Sequence, residues 1–325
     1  MYPVELITPE CDVVKGIIYE DGSFEEKEVK ADFIAVPTFF NAHTHLADSI
    51  AKDIPRMDIV KAVRDYKFKV LNSASEDEII DGIRNSISVA LRSGTCRILE
   101  FREGGVKGFE ILKRADDKGV CLALTRPSSL EEAEFLIERS FGFGMSSTRD
   151  HDYTFLEELR ELARKKGKIF AIHAGEKDDE DVEKALALEP DLLIHMNMAS
   201  VKNLKRAMDM DIPIVSCIRS NAFFGLMNTN NYRILSEYDL WLLGTDNAMV
   251  CSPSMLEEMH FASYLLGKDE EVFKACVRGF ELFNLKPKII IFNKKFNLYK
   301  CRNPLFGVVR RAEAVDIERI ISSPP

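Results

Sequence analysis

Residues 33–45 read Phe33-Ile34-Ala35-Val36-Pro37-Thr38-Phe39-Phe40-Asn41-Ala42-His43-Thr44-His45, an apolar run that closes in two histidines. Such a run is short enough for a strand buried on both faces. Period-two alternation sends residues i and i+2 to the same side, so the imidazoles of His43 and His45 face one point. The pattern recurs along the chain. Short apolar runs ending in polar residues span 96–101, 120–125, 140–145, 169–173, 192–195, 212–217 and 240–245. With 33–44 they make eight strand candidates separated by amphipathic stretches. His173 ends one run and is followed by Ala174-Gly175-Glu176; His195 ends the next; Asp246 and Asn247 follow the last. Eight βα units in roughly 250 residues is the size of a (β/α)8 barrel. A doubly wound open sheet uses the same alternation; the barrel is preferred because all these polar strand ends then lie on the one face where such barrels carry their sites.

The intervening helices announce their starts. Ser75 with Glu78, Ser129 with Glu132, Thr154 with Glu157 and Ser254 with Glu257 each have capping-box spacing. The two ends of the chain read differently. A turn at Glu20-Asp21-Gly22-Ser23 lies between β-like runs at 13–19 and 28–35, and further β-like runs occupy 289–292, 296–299 and 306–309. The expected organisation is a small β-sandwich-like domain from residues 1–36 and 287–325, beside a barrel spanning 37–286.

Composition narrows the class of function. Of 325 residues, 46% are hydrophobic and 30% charged, which is ordinary globular usage and excludes wholesale disorder. Asp and Glu outnumber Lys and Arg by 53 to 44, a net charge of -9 and a poor surface for a phosphate backbone, so nucleic acid is not an expected partner. No apolar run approaches the roughly 18 residues that span a bilayer, and the N-terminus lacks the features of a secretory signal. The seven cysteines form no Cys-x-x-Cys pair, which argues against a disulfide framework and a thiolate zinc site. The expectation is a cytoplasmic protein acting on a small molecule, with a homodimer as the prior for its assembly.

Only six histidines occur in the chain, and four of them sit at strand ends. Imidazole nitrogens with a carboxylate oxygen hold a divalent ion and leave a position for water. One such histidine is commonplace; His-x-His on the first strand with His173, His195 and Asp246 on later ones points to a metal site. No Walker loop, HExxH or GxSxG motif is present, and Gly142-x-Gly144-x-x-Ser147 is not a dinucleotide fingerprint.

On these residues the sequence resembles the amidohydrolase superfamily of metal-dependent hydrolases, over essentially the whole chain. The resemblance implies a distorted (β/α)8 barrel with a β-domain split between the termini. Binuclear members bridge two metals with a lysine or glutamate on strand four, where this chain has Ser140-Phe141-Gly142-Phe143-Gly144-Met145-Ser146. His173-Ala174-Gly175-Glu176 is similar to the His-x-x-Glu of the mononuclear deaminase and chlorohydrolase branch. The implied ligands are His43, His45, His173 and Asp246 around one divalent ion, zinc or alternatively iron. The implied catalytic groups are Glu176 as proton shuttle, His195 as the group orienting water and stabilising charge, and Asp246 as a further proton acceptor.

The implied activity is hydrolytic deamination of an amino-substituted purine, pterin or pyrimidine. Two other readings stay open at this point: hydrolysis of a cyclic amide, lactone or chloro-aryl compound, and a non-catalytic binding barrel, against which the intact ligand and acid–base set argues. Substrate-binding candidates come from the loops on the same face: Asp48, Arg102, Arg126, Arg219 and Asn221. Three arginines at one rim would suit a carboxylate or phosphate. His151, at a helix entrance, and His260, within a helical stretch, are expected to be structural or exposed.

Overall fold

The computed structural model describes residues 1–322. Nine short strands form one parallel sheet: β5 (Phe39–His45), β6 (Thr95–Arg102), β7 (Cys121–Thr125), β8 (Gly142–Met145), β9 (Ile169–Ala174), β10 (Leu192–His195), β11 (Ile214–Ser216), β12 (Trp241–Leu243) and β13 (Asp246–Asn247). From β5 to β12 each pairs with the next in chain order, and β13 pairs with β5 on its other side. Gly244 and Thr245, between β12 and β13, carry the closure: their amides donate to the carbonyls of Ser216 at 3.0 Å and His43 at 3.1 Å. Thus β12 and β13 act as one bent eighth strand, and the sheet is a distorted (β/α)8 barrel with helices between successive strands. Gly244 is required there, because a Cβ would lie 2.7 Å from the His43 nitrogen.

The terminal segments form a second, six-stranded sheet. It comprises β1 (Tyr2–Ile7), β2 (Val13–Ile18), β3 (Phe24–Glu26), β4 (Phe33–Pro37), β14 (Ile289–Asn293) and β15 (Ile317–Ile321), in the order β15-β14-β4-β1-β2-β3. All neighbours are antiparallel except β1 and β4. This is a single sheet rather than two facing layers, and its core is built on Val4, Ile18, Ala35, Ile291 and Ile321. The run at 33–44 is therefore two strands. Between them the Thr38 amide leaves the ladder to donate to the Lys288 carbonyl at 2.8 Å, and the chain passes from one sheet to the other.

The chain forms two compact units, one of residues 1–41, 89–97 and 254–325, the other of residues 42–88 and 98–253. Three local expectations are corrected. Residues 304–311 are a helix, not a strand: Asn303 caps it by accepting from the Phe306 amide at 3.0 Å, and Pro304 occupies the first turn, where its missing N–H costs nothing. Residues 296–299 are a turn closed by the Tyr299 amide on the Phe296 carbonyl. The helix at Tyr153–Lys166 is capped by Asp152 rather than Thr154, because the aspartate reaches the Phe155 amide first. The Ser75–Glu78 box forms reciprocally as expected. Among the described residues, no helix is long and apolar enough to cross a membrane.

Candidate metal centre

Every residue of β5 is buried, and its last two inward positions deliver His43 and His45 with ring centroids 4.9 Å apart. The residue between them is held from behind. Glu100 of β6, wholly buried, accepts from the Thr44 hydroxyl at 2.6 Å and from the Leu46 amide at 3.0 Å. Burial pushes the Glu100 carboxyl up to about 8, against the pull of the Thr44 hydrogen bond and Arg102. Its neighbour Phe101 packs edge-on against His43 at 4.3 Å, which sets the plane of that ring.

On β9, His173 donates from Nδ1 to the Met145 carbonyl at 2.7 Å, fixing the tautomer that leaves a lone pair on Nε2. That Nε2 lies 3.2 Å from Nε2 of His43. Asp246 completes the group by dividing its oxygens. Oδ1 faces His43 Nε2 at 3.4 Å and His45 Nε2 at 3.9 Å, while Oδ2 accepts from the Ser220 hydroxyl at 2.6 Å and the Asn247 amide at 3.1 Å.

The donor set fits a metal ion. Ligand atoms of His43, His45 and His173, and of His43, His195 and Asp246, lie within 4.8 Å of one another. Ligands about 2.0–2.1 Å from one ion at tetrahedral angles stand about 3.3 Å apart, close to the observed 3.2 and 3.4 Å. Protonation states agree. Burial pushes His43 down to about 4 and carries His45 and His173 well below the ordinary histidine value, so their lone pairs are available at neutral pH. Burial alone would raise Asp246, but the hydrogen bond and charge of His43, with His195 and His45, hold it well below the usual carboxylate range.

His195 and Glu176 face each other beside this group, with His195 Nε2 3.5 Å from Glu176 Oε1. His195 and Met196 take consecutive left-handed conformations, φ 80° and 58°, and Asp246 has φ 61°. Strained backbone at two strand ends of one site is the kind of distortion that aims side chains. Glu176 follows Gly175, also at positive φ, and the turn is stapled by Asp181, which accepts from the Gly175 amide at 2.9 Å and from the Ser147 hydroxyl at 2.6 Å. Burial is the main cause lifting the Glu176 carboxyl to about 7, with Asp246 and Asp181 adding to it and His195 opposing.

These groups open on a cavity of about 550 Å³. Asp48 and Arg126 line it as expected, but as members of an ion network: Lys67 lies 2.9 Å from Asp48 and 3.0 Å from Glu103, and Arg126 is 3.0 Å from Glu103. Burial lifts Asp48 to about 7 despite Lys67, whereas Lys67 and Arg126 overcome burial to hold Glu103 down at about 2. Arg102, Arg219 and Asn221 stand outside the cavity lining. Arg102 donates to the Gly108 carbonyl, Arg219 to the Ser252 carbonyl, and Asn221 to the Tyr232 hydroxyl, so each braces a loop or helix of the barrel face.

Sequence reasoning missed Glu100, Lys67, Glu103, Asp181 and Ser220. Of these, only Glu100 carried a signal, as a carboxylate in the middle of an apolar strand. His151 is at the helix entrance as expected, yet it also lines the cavity, its Nε2 2.9 Å from the Ser146 hydroxyl.

Known proteins resemble this arrangement. The model of the group described as the amidohydrolase family matches residues 34–289. A protein of Archaeoglobus fulgidus named "Putative aminohydrolase" is 46% identical over 324 residues, covering 99% of this chain and 96% of its own. Among solved structures, a zinc-bound adenosine deaminase from Xanthomonas campestris superposes with a TM-score of 0.76 at 15% identity, over 90% of this chain and 80% of that one. A zinc complex of the atrazine chlorohydrolase from Arthrobacter aurescens gives 0.77 at 13% identity, over 100% of this chain and 94% of that one. At such identities the structural likeness shows the fold.

Proposed function

Because the chain belongs to the amidohydrolase family, we propose that it is a mononuclear metal-dependent aminohydrolase, which releases ammonia from an amino-substituted heterocycle of the purine, pterin or pyrimidine type. One observation carries this reading: three neutral imidazoles and an ionised carboxylate converge on a point at the mouth of the barrel, with Glu176 and His195 paired beside it. His43, His45, His173 and Asp246 would hold the ion, zinc or iron. β8 offers no bridging lysine or glutamate, its residues being Gly142–Met145, which favours one ion over two.

Such an ion supplies acidity, lowering the pKa of water from 15.7 toward about 7. The remaining work falls to the chain. A carboxyl near 7 gives and takes protons with almost equal ease at neutral pH. Glu176 is therefore suited to accept a proton from the attacking water, deliver it to the ring nitrogen beside the amino-bearing carbon, and assist protonation of the departing amine. His195, buried and 3.5 Å from Glu176, orients the water and counters the negative charge that develops on its oxygen. Asp246 keeps its outer oxygen bound to Ser220 and Asn247, so its inner oxygen stays aimed at the reacting centre.

The test is an ammonia-release assay of the metal-loaded protein over aminopurines, aminopterins and aminopyrimidines, with product mass measured in parallel. The expected result is ammonia with exchange of an amino group for oxygen. Ring opening, or chloride release from a chloro-aryl substrate, without ammonia would replace this reading with another hydrolysis on the same residues.

A further inference from the structure

The turn that carries Glu176 is held by a second loop as well as by Asp181. Residues leaving β10 meet three successive carbonyls. The Met196 amide donates to Ala174 at 2.9 Å, the Met198 amide to Gly175 at 2.7 Å, and the Asn197 side chain, through Nδ2, to Glu176 at 3.0 Å. The left-handed backbone of His195 and Met196 turns these donors toward the end of β9.

Asn197 differs from its neighbours in reaching a third segment. Its Nδ2 also donates to the Leu226 carbonyl at 2.6 Å, while its Oδ1 is buried and meets no donor of the chain. The opposite orientation would set that oxygen against two carbonyls, so the network fixes which way the amide faces. An unpaired buried acceptor calls for an explanation, and the bridge between the two carbonyls supplies one.

Both ends of the bridge are anchored. Asn231 donates from Nδ2 to the Asn197 carbonyl at 2.9 Å and the Ala199 carbonyl at 2.8 Å. Leu226 follows the helix Ile218–Phe223, and its amide donates to the Asn221 carbonyl at 2.8 Å. The same helix carries Ser220, whose hydroxyl holds Oδ2 of Asp246. Residues 220–226 are therefore tied to Asp246 at one end and, through Asn197, to Glu176 at the other. β9 and β13 are not adjacent in the barrel sheet, so no ladder bond sets the spacing of Glu176 from Asp246 directly; this connection spans it.

Resting on the aminohydrolase reading, we propose that Asn197 is a positioning residue: by bridging the carbonyls of Glu176 and Leu226, it sets where the Glu176 carboxyl stands relative to Asp246. Asn197 is wholly buried and does not line the cavity, so its effect passes through Glu176.

The test substitutes Asn197→Leu, similar in size and without a donor. One readout is amide hydrogen exchange of the metal-loaded protein, followed by mass spectrometry. The other is ammonia release with adenine, guanine, cytosine and pterin offered as substrates. Exchange in peptides covering 174–181 and 221–228 should quicken by about tenfold, as for the loss of one hydrogen bond's worth of local stability. The turnover number kcat should fall by about a hundredfold, as for a displacement of about 1 Å, with KM changed by less than about threefold and metal content unchanged. In a Glu176→Gln background the same substitution should cost less than about threefold, because the group it positions is already disabled. A residue that served folding alone would lower the yield of folded protein and leave kcat per folded molecule unchanged.

Unchanged exchange at 174–181 would overturn the proposal. So would an equal loss of turnover in the Glu176→Gln background, or loss of metal from Asn197→Leu, which would place the effect at Asp246. Asn197→Ala, which removes the donor without crowding the site, carries the same comparisons if the leucine variant misfolds. Quickened exchange with no ammonia from any of the four compounds would count against the aminohydrolase reading and leave the bridge in place.

Discussion

Asp181 offers a sharp test of how the catalytic turn is held. Its carboxylate, 6% exposed, accepts from the Gly175 amide at 2.9 Å and the Ser147 hydroxyl at 2.6 Å, tying the residue before Glu176 to the segment that follows β8. Replacing Asp181 with alanine removes both bonds and leaves the Gly175 N–H buried. Hydrogen bonds to a charged group contribute about 1.5–3 kcal/mol each, and two sharing one carboxylate are not fully additive, so the loss should be about 3 kcal/mol. At roughly 2 °C per kcal/mol for a chain of this size, the melting midpoint should fall by about 6 °C.

Gly175, at φ 61°, then keeps only the Met198 amide on its carbonyl at 2.7 Å, its own N–H is left unheld, and Glu176 shifts relative to His195. A misplacement of about 1 Å costs on the order of a hundredfold in turnover. Metal content should not change, since no ligand is touched. Asp181→Asn should recover most of both losses, because the amide oxygen still accepts from Gly175 and the Ser147 hydroxyl can turn to accept from the amide nitrogen. Ammonia release, calorimetric melting and metal analysis on the three proteins would decide the matter. Unimpaired turnover in Asp181→Ala would refute the claim that this staple positions Glu176.

The other predictions follow the same geometry. Glu176→Gln keeps shape but not proton transfer, so metal binding should persist while turnover falls by about 10²–10⁴; near wild-type ammonia release would remove Glu176 from the mechanism. Lys67→Met leaves Asp48 and Glu103 buried without their shared cation, which should cost about 3–5 kcal/mol in a thermal or urea melt. Glu103, held down at about 2 in the folded protein, adds stability that is complete above its unfolded value of about 4.5 and is lost as pH falls toward 2. Glu103→Gln should therefore flatten the acid limb of a stability–pH curve between about 4.5 and 2, and an unchanged limb would contradict the pairing.

What could be foreseen from the chain and what could not divide along physical lines. His43, His45, His173, His195 and Asp246 were legible because strand periodicity and barrel topology together place strand ends on one face, and few other histidines compete. The three rim arginines were not, since a residue type after a strand says nothing of its rotamer: Arg102 and Arg219 turn to backbone carbonyls, and of the three Arg126 alone reaches the cavity. Lys67 falls in a stretch that carries no motif, and only the tertiary fold shows that it stands between Asp48 and Glu103. The helix at 304–311 was readable in principle, because Asn303-Pro304 is a start signal; its valines and phenylalanine suggested strand instead. The break at Thr38 within 33–44 carried a comparable mark, because Pro37 has no N–H to give the middle of a sheet ladder; the apolar residues on either side suggested one continuous strand instead.

Metal content per chain, measured by mass spectrometry on protein purified without added metal or chelator, decides whether the four ligands hold one ion. About one equivalent of zinc or iron is expected, falling to near zero in a folded His43→Ala variant. Two equivalents, no metal even after reconstitution, or full occupancy in His43→Ala would contradict it.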